Sequence, residues 1–262
     1  MLGKIIFYCV LGAFLLIVIL SIIQKRRFVK LFDEGNVIVT GLRGRGKDLA
    51  FCIVINARKR DYISNIQYSK PSKRFKRFPL DLKVWELSDN TYTELVTGEV
   101  KKYVYPYPDG LDYYISDAGI YFPSQYQSEL CKKYKSAPMF QALSRHLGDC
   151  NVHCNVQNLN RLWDKIREQS DIYIRMHKCR VFPRLFCLCR ITAYTYQNAE
   201  SCANGVIPPR FGIGKSGREA RYNFEIAHGK IQKLSFFARL PYEYDSRRFK
   251  KILENNLIDY EA

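Results

Sequence analysis

Residues 36–48 read NVIVTGLRGRGKD, and the fold class hangs on them. Positions 37–40 are a short β-branched apolar run, the pattern of a buried strand. Gly41-Leu42-Arg43-Gly44-Arg45-Gly46-Lys47 then fits GxxxxGK, and an apolar helical run follows from Lys47 to about residue 60. Glycines let successive backbone N–H groups curl around a phosphate without Cβ clashes. The helix behind them aims its positive end at the same anion, and Lys47 then reaches the β- and γ-phosphates. Gly41, Leu42, Arg43, Gly44, Arg45, Gly46, Lys47 and Asp48 are therefore expected to bind ATP. One position departs from the pattern: Asp48 stands where a Ser or Thr hydroxyl normally meets Mg²⁺. Carboxylates are good Mg²⁺ ligands, so Asp48 is expected to hold the metal. A second stretch, Gly212-Ile213-Gly214-Lys215-Ser216, imitates the motif, but Pro209 takes the first glycine's place and no apolar strand leads in. It reads as a loop.

Working outward, strands are expected at 62–68, 111–117, 151–157 and 172–177, and helices at 124–135, 137–147 and 158–169. Residues 69–79 form a basic, Pro-punctuated loop, and 82–105 alternate around turn residues like a β-hairpin insertion. Strand–helix alternation behind a glycine motif predicts an α/β P-loop NTPase fold, its mainly parallel sheet covered on both faces. Beyond residue 178 the pattern turns β-rich, with strands expected at 186–196 and 220–226 and a short basic helix at 247–255. The expected organisation is an anchor over 1–27, a nucleotide-binding core over 28–178 with its hairpin at about 80–108, and a small β-rich extension over 179–262.

A phosphate-binding loop needs an acidic residue at the end of a neighbouring strand. Asp117, closing LDYYISD at 111–117, is the natural candidate for Mg²⁺. Ala118 follows, where a water-polarising Glu is common, so the base is open and Glu129 is one choice. The strand at 151–157 ends in Gln157, a candidate for sensing the γ-phosphate from between the two acidic strands. Arg145, Arg161 and Arg167 are candidate arginine fingers acting across a subunit boundary.

Residues 5–23 are almost unbroken hydrocarbon without a charge, followed by Gln24-Lys25-Arg26-Arg27. About 20 such residues span a bilayer as a helix. The positive-inside rule places the C-terminal side in the cytoplasm and Met1 outside. The chain has 42 Lys+Arg against 25 Asp+Glu, a net charge of +17, which favours an anionic partner such as nucleic acid, lipid or nucleotide. Basic segments at 70–77 and 132–135, with Phe75 and Phe78 interleaved, are candidate DNA or headgroup contacts. Nine cysteines without a CxxC speak against a disulfide framework. Cys150, His153 and Cys154 lack a fourth nearby ligand, so they read as packing rather than as a zinc site.

The segments TGLRGRGKD at 40–48, DYYISDAGIYFPS at 112–124, NVHCNVQNLNRLWDKIREQSDIYI at 151–174 and LPYEYDSRRF at 240–249, in that order, resemble the zonular occludens toxin-like family. These are assembly ATPases of filamentous phages, related to FtsK–HerA pumping ATPases. Gln157 and the helix carrying Asp164 and Arg167 resemble the family's post-strand glutamine and its arginine-bearing helix. The resemblance implies a homo-oligomeric, single-pass ATPase of the host inner membrane, of RecA/FtsK type. It implies extrusion of single-stranded DNA virions, with phage coat or pore membrane proteins as partners. In the best-known members the transmembrane helix follows the ATPase domain; here it comes first. A conjugation-type DNA pump and a non-hydrolysing, nucleotide-gated scaffold are the alternatives.

Overall fold

The structure, a computed structural model, describes residues 2–66, 75–80, 110–126, 129, 137–138, 141, 144, 149–181, 186–195 and 198–239. The expected hairpin at 82–105, most of the helices at 124–135 and 137–147, Arg145, the basic residues at 70–74 and 132–135, and everything from residue 240 lie outside these.

The chain starts with one long helix, α1 (Leu2–Glu34). At 1.5 Å per residue it extends for about 50 Å. Its first two thirds expose Ile5, Phe7, Phe14 and Leu16 and are long and apolar enough to cross a bilayer. Its last turns do the opposite: Phe28, Leu31 and Phe32 are buried in the core. Eight strands form one sheet: β1 (Val37–Thr40), β2 (Tyr62–Ser64), β3 (Arg77–Pro79), β4 (Asp112–Ile115), β5 (Val152–Val156), β6 (Ile172–Val181), β7 (Phe186–Thr195) and β8 (Ile231–Arg239). Their order is β3-β2-β4-β5-β1-β6-β7-β8. Every pairing from β3 to β6 is parallel, and β7 and β8 extend the sheet antiparallel.

Burial follows from this arrangement. Parallel strands covered on both faces read as continuous apolar runs, and β1 and β5 are buried at every position. Val37 and Val39 point into one core layer and Ile38 into the other. The first layer holds α2 (Lys47–Arg58) and the end of α1. The second holds the short helices α3 (Ala118–Tyr121), α4 (Asp164–Glu168) and α5 (Ala199–Ala203). Seven consecutive residues of α2, Leu49 to Ile55, are buried, because it is covered by the sheet on one side and α1 on another. Lys59, in the left-handed region at φ 55°, stops it and donates its N–H to Ile55 O at 2.9 Å.

β8 is half-exposed, and its alternation shows it: Leu234, Phe236 and Ala238 are buried, Ser235 and Phe237 are not. An open edge offers unpaired N–H groups, and α1 covers two of them. The Phe237 N–H donates to Ser21 Oγ at 2.7 Å and the Ser235 N–H to Gln24 Oε1 at 2.5 Å. Phe28 packs on Phe236 with ring centroids 4.9 Å apart.

Three expectations need correction. Residues 220–226 are not a strand; they lie inside helix α6 (Lys215–His228), and the strand that follows is β8. The alternating Ala220, Tyr222, Phe224 and Ile226 imitate a strand, but Tyr222 and Ile226 are exposed and Phe224 stacks on His228 one turn on. The helix expected over 158–169 is broken: a 3-10 turn at Leu159–Arg161 is followed by extended Leu162 and Trp163 before α4 begins. The strand expected over 62–68 ends at Ser64, Asn65 and Ile66 being no longer strand, while 67–68 lie outside the described residues.

Candidate functional site

The C-terminal ends of β1, β4 and β5 carry the site. After Thr40 the chain turns through Gly41, Gly44 and Gly46, all at positive φ, and α2 begins at Lys47. The turn is set down tightly on β6. A Cβ on Gly41 would lie 2.8 Å from Met176 O, and one on Gly46 2.7 Å from Cys179 Cβ. Gly44 has nothing within 4 Å of such a Cβ, so the turn's other side is open. Leu42 and Arg43 are exposed and Arg45 half-exposed on that turn. The α2 N-terminus has no side-chain cap, so its first N–H groups are left for an anion.

Lys47 is buried, and its Nζ donates to Gly41 O at 3.1 Å, folding the side chain back across the turn. Burial lowers its pKa from the ordinary lysine value, while the charges of Asp117 and then Asp48 oppose the shift. Asp117 shows the converse. Burial raises its pKa, the negative charge of Asp48 adds to the rise, and Lys47 counters it. Buried Lys47, half-buried Asp48 and exposed Asp117 thus act on one another electrostatically at the mouth of the turn, where a bound anion and cation would neutralise them.

The strand order explains the meeting. β5 lies between β1 and β4, so a side chain at its tip reaches both the glycine turn and the acidic strand. That side chain is Asn155, fully buried. Its Oδ1 accepts the Asp117 N–H at 2.8 Å, and its Nδ2 donates to Asp48 Oδ1 at 2.6 Å and lies 3.3 Å from Ser116 Oγ. Ser116 Oγ donates to the same Asp48 oxygen at 2.5 Å. Asp117 sits in the left-handed region at φ 48°, which an Asp tolerates but which still costs about 1–2 kcal/mol. The bond from its N–H to Asn155 holds it there.

Asn155 and Ser116 had no role in the sequence reading. The signal for Asn155 is an amide, a poor strand former, next to the last position of VHCNV. Gln157 lies two residues beyond it, exposed. Arg161 is exposed behind it, its backbone against Gly119. The Arg167 carbonyl accepts from the Tyr173 hydroxyl at 2.7 Å, near the start of β6 and away from the glycine turn. Glu129 is exposed. His153 and Cys154, being consecutive on β5, belong to opposite faces: His153 lies between Phe32 and Tyr114, and Cys154 is in the second core layer. The described cysteines are free.

Hard oxygen donors from Asp48, Ser116 and Asp117 beside Lys47 fit Mg²⁺, which takes oxygen ligands. The open glycine turn ahead of an uncapped helix fits a nucleotide's phosphates.

Neither a protein-family model nor a curated protein matches the chain. Solved structures do. The N-terminal domain of zonular occludens toxin from Neisseria meningitidis aligns at 12% identity over 71% of this chain and 97% of that one, with a TM-score of 0.42. The genome packaging NTPase B204 from Sulfolobus turreted icosahedral virus 2, in complex with ATP-gammaS, aligns at 11% identity over 66% and 94%, with a TM-score of 0.36. Its AMPPCP complex aligns at 15% identity over 57% and 76%, at the same TM-score. By its strand order and its glycine turn this chain has a P-loop NTPase fold, and it is similar in structure to these proteins.

Proposed function

We propose that this chain is a membrane-anchored ATPase that powers filamentous phage assembly and the extrusion of single-stranded DNA virions through the inner membrane. One observation carries the nucleotide part: Lys47 folds over an open glycine turn at the start of α2, within electrostatic reach of Asp117 and Asp48. The membrane part is supported by the exposed apolar length of α1 and by the basic run 25–27 behind it. Docking of the same helix on β8 and α2 would pass movement of the domain to the bilayer. The phage part rests on the motif order at 40–48, 112–124 and 151–174. A net charge of +17 suits DNA as cargo. In a homo-oligomeric ring Arg167 or Arg161 would act in trans.

Purified full-length protein in nanodiscs should hydrolyse ATP with Mg²⁺, and Lys47→Ala should reduce turnover at least about 100-fold. Binding without turnover by the unmodified protein would replace the motor by a nucleotide-gated scaffold that recruits coat or pore proteins. Ala118 in place of a Glu is the observation that keeps this second reading in view.

A further inference from the structure

We propose that the glycine loop and the acidic strand have exchanged their metal-binding groups in this chain. Asp48 supplies the carboxylate from the loop side, Ser116 supplies the hydroxyl from the strand side, and Asp117 is left to orient the attacking water. This rests on the nucleotide reading above.

In P-loop NTPases the metal is held by a loop Ser or Thr and by a carboxylate on the neighbouring strand. Here the residue after Lys47 is an acid, and the residue facing it, directly after β4, is a serine. The two are in direct contact, Ser116 Oγ donating to Asp48 Oδ1 at 2.5 Å. One hydroxyl and one carboxylate therefore still meet across the site. Asn155 steadies the pair by donating to the same Asp48 oxygen. Asp48 Oδ2 takes part in none of these bonds.

Asp117 is placed differently. It follows Ser116 after the strand has ended, and its left-handed backbone turns it out of the strand's alternation. Its N–H is tied to Asn155, and its side chain makes no bond to the Asp48–Ser116 pair among the described hydrogen bonds. A carboxylate beside the lysine but outside the Asp48–Ser116 contact suits a base. The water oxygen bonds to the γ-phosphorus, the bond to the β–γ bridging oxygen breaks, ADP leaves, and the water proton passes to Asp117. The exchange also explains why Ala118 is tolerated: the acid usually sought there stands one residue earlier.

The test compares binding of a fluorescent, non-hydrolysable ATP analogue with and without Mg²⁺, using the full chain in detergent micelles. The unmodified protein should bind more tightly with Mg²⁺. Asp48→Thr should lose that gain by about 10–100-fold, although it restores the usual loop sequence. Asp48→Thr with Ser116→Asp should regain most of it. Asp117→Asn should keep the Mg²⁺ gain in analogue binding and, assayed separately with ATP and Mg²⁺, lose hydrolysis. If Asp48→Thr keeps or improves the gain, if the double variant is no better than Asp48→Thr, or if Asp117→Asn abolishes the gain, the exchange is wrong and Asp117 is the metal carboxylate. Should a swapped variant lack a melting transition, Asp117→Asn alone decides. If the unmodified chain and Lys47→Ala bind the analogue equally, or neither binds, the nucleotide reading itself fails, and the exchange with it.

Discussion

At the scale of residues, the site depends on a few side chains whose surroundings leave little choice. Asn155 has both ends of its amide engaged in a buried position. Asn155→Leu strands the Asp117 N–H and removes a donor from Asp48. Leaving such groups unmet costs about 1–3 kcal/mol. Thermal melting should show that loss together with weaker nucleotide binding, and an unchanged melting point would refute the clamp. The glycines separate two costs. Gly44→Ala meets open space and adds only backbone strain at φ 73°, about 1–2 kcal/mol. Gly46→Ala adds the same kind of strain at φ 84° and a Cβ driven against Cys179. The melting point should fall further for Gly46→Ala than for Gly44→Ala; the reverse order would contradict the packing of the turn on β6. Lys47 and Asp117 stand out in the sequence because each closes a local pattern, a GxxxxGK turn and an apolar run ending in an acid. Asn155 does not, because its value comes from lying between two strands distant in sequence. The strand tip was expected at Gln157, two residues further out.

At the scale of elements, β1, the turn and α2 were legible because apolar strand, glycines and apolar helix follow one another without interruption. Residues 220–226 misled because a period of two marks a strand only where alternate residues find a core. β8, with Leu234, Phe236 and Ala238 inward, is the segment that found one. β5 carries a further consequence. His153 is fully buried between Phe32 and Tyr114, each ring about 5 Å away. Neither ring nitrogen has a hydrogen-bond partner among the described residues. Burial, reinforced by the Arg58 charge, lowers its pKa well below the usual 6.5. Above pH 6.5 the ring is neutral whether the chain is folded or not. Below that value the unfolded chain takes up a proton that the folded one refuses, so stability falls by up to about 1.4 kcal/mol per pH unit until the folded pKa is reached. His153→Phe should remove this contribution. The melting point of the variant should fall less than the parent's between pH 7 and pH 5.5, and parallel curves would show that His153 titrates normally.

At the scale of the molecule, α1 is long and apolar enough to cross a bilayer along its first part and docks on the sheet with its last turns. Its outer part is apolar and exposed, while its inner end caps the β8 edge and packs Phe28 and Phe32 into the core. Arg58 at the end of α2 joins this junction, bonded to Asp33 of α1 at 2.5 Å, to Asp112 of β4 and to the Tyr114 hydroxyl at 3.0 Å. Arg58→Met leaves half-buried Asp112 without its cation, a loss of about 1–3 kcal/mol. Limited proteolysis of nanodisc-bound protein should then cut between anchor and domain faster than in the parent; equal rates would mean the junction does not depend on Arg58. The apolar run of this helix was plain in the sequence. Its docking was not, because residues 28–32 meet partners more than 100 positions away. The measurement that bears most directly on the whole account is the affinity of the full-length protein for ATP with Mg²⁺, set against that of Lys47→Ala. We expect tight, saturable binding by the parent and at least about tenfold weaker binding by the variant, since a charged hydrogen bond to phosphate is worth about 1.5–3 kcal/mol. Equal affinity in the two proteins, or no binding by the parent, would contradict it.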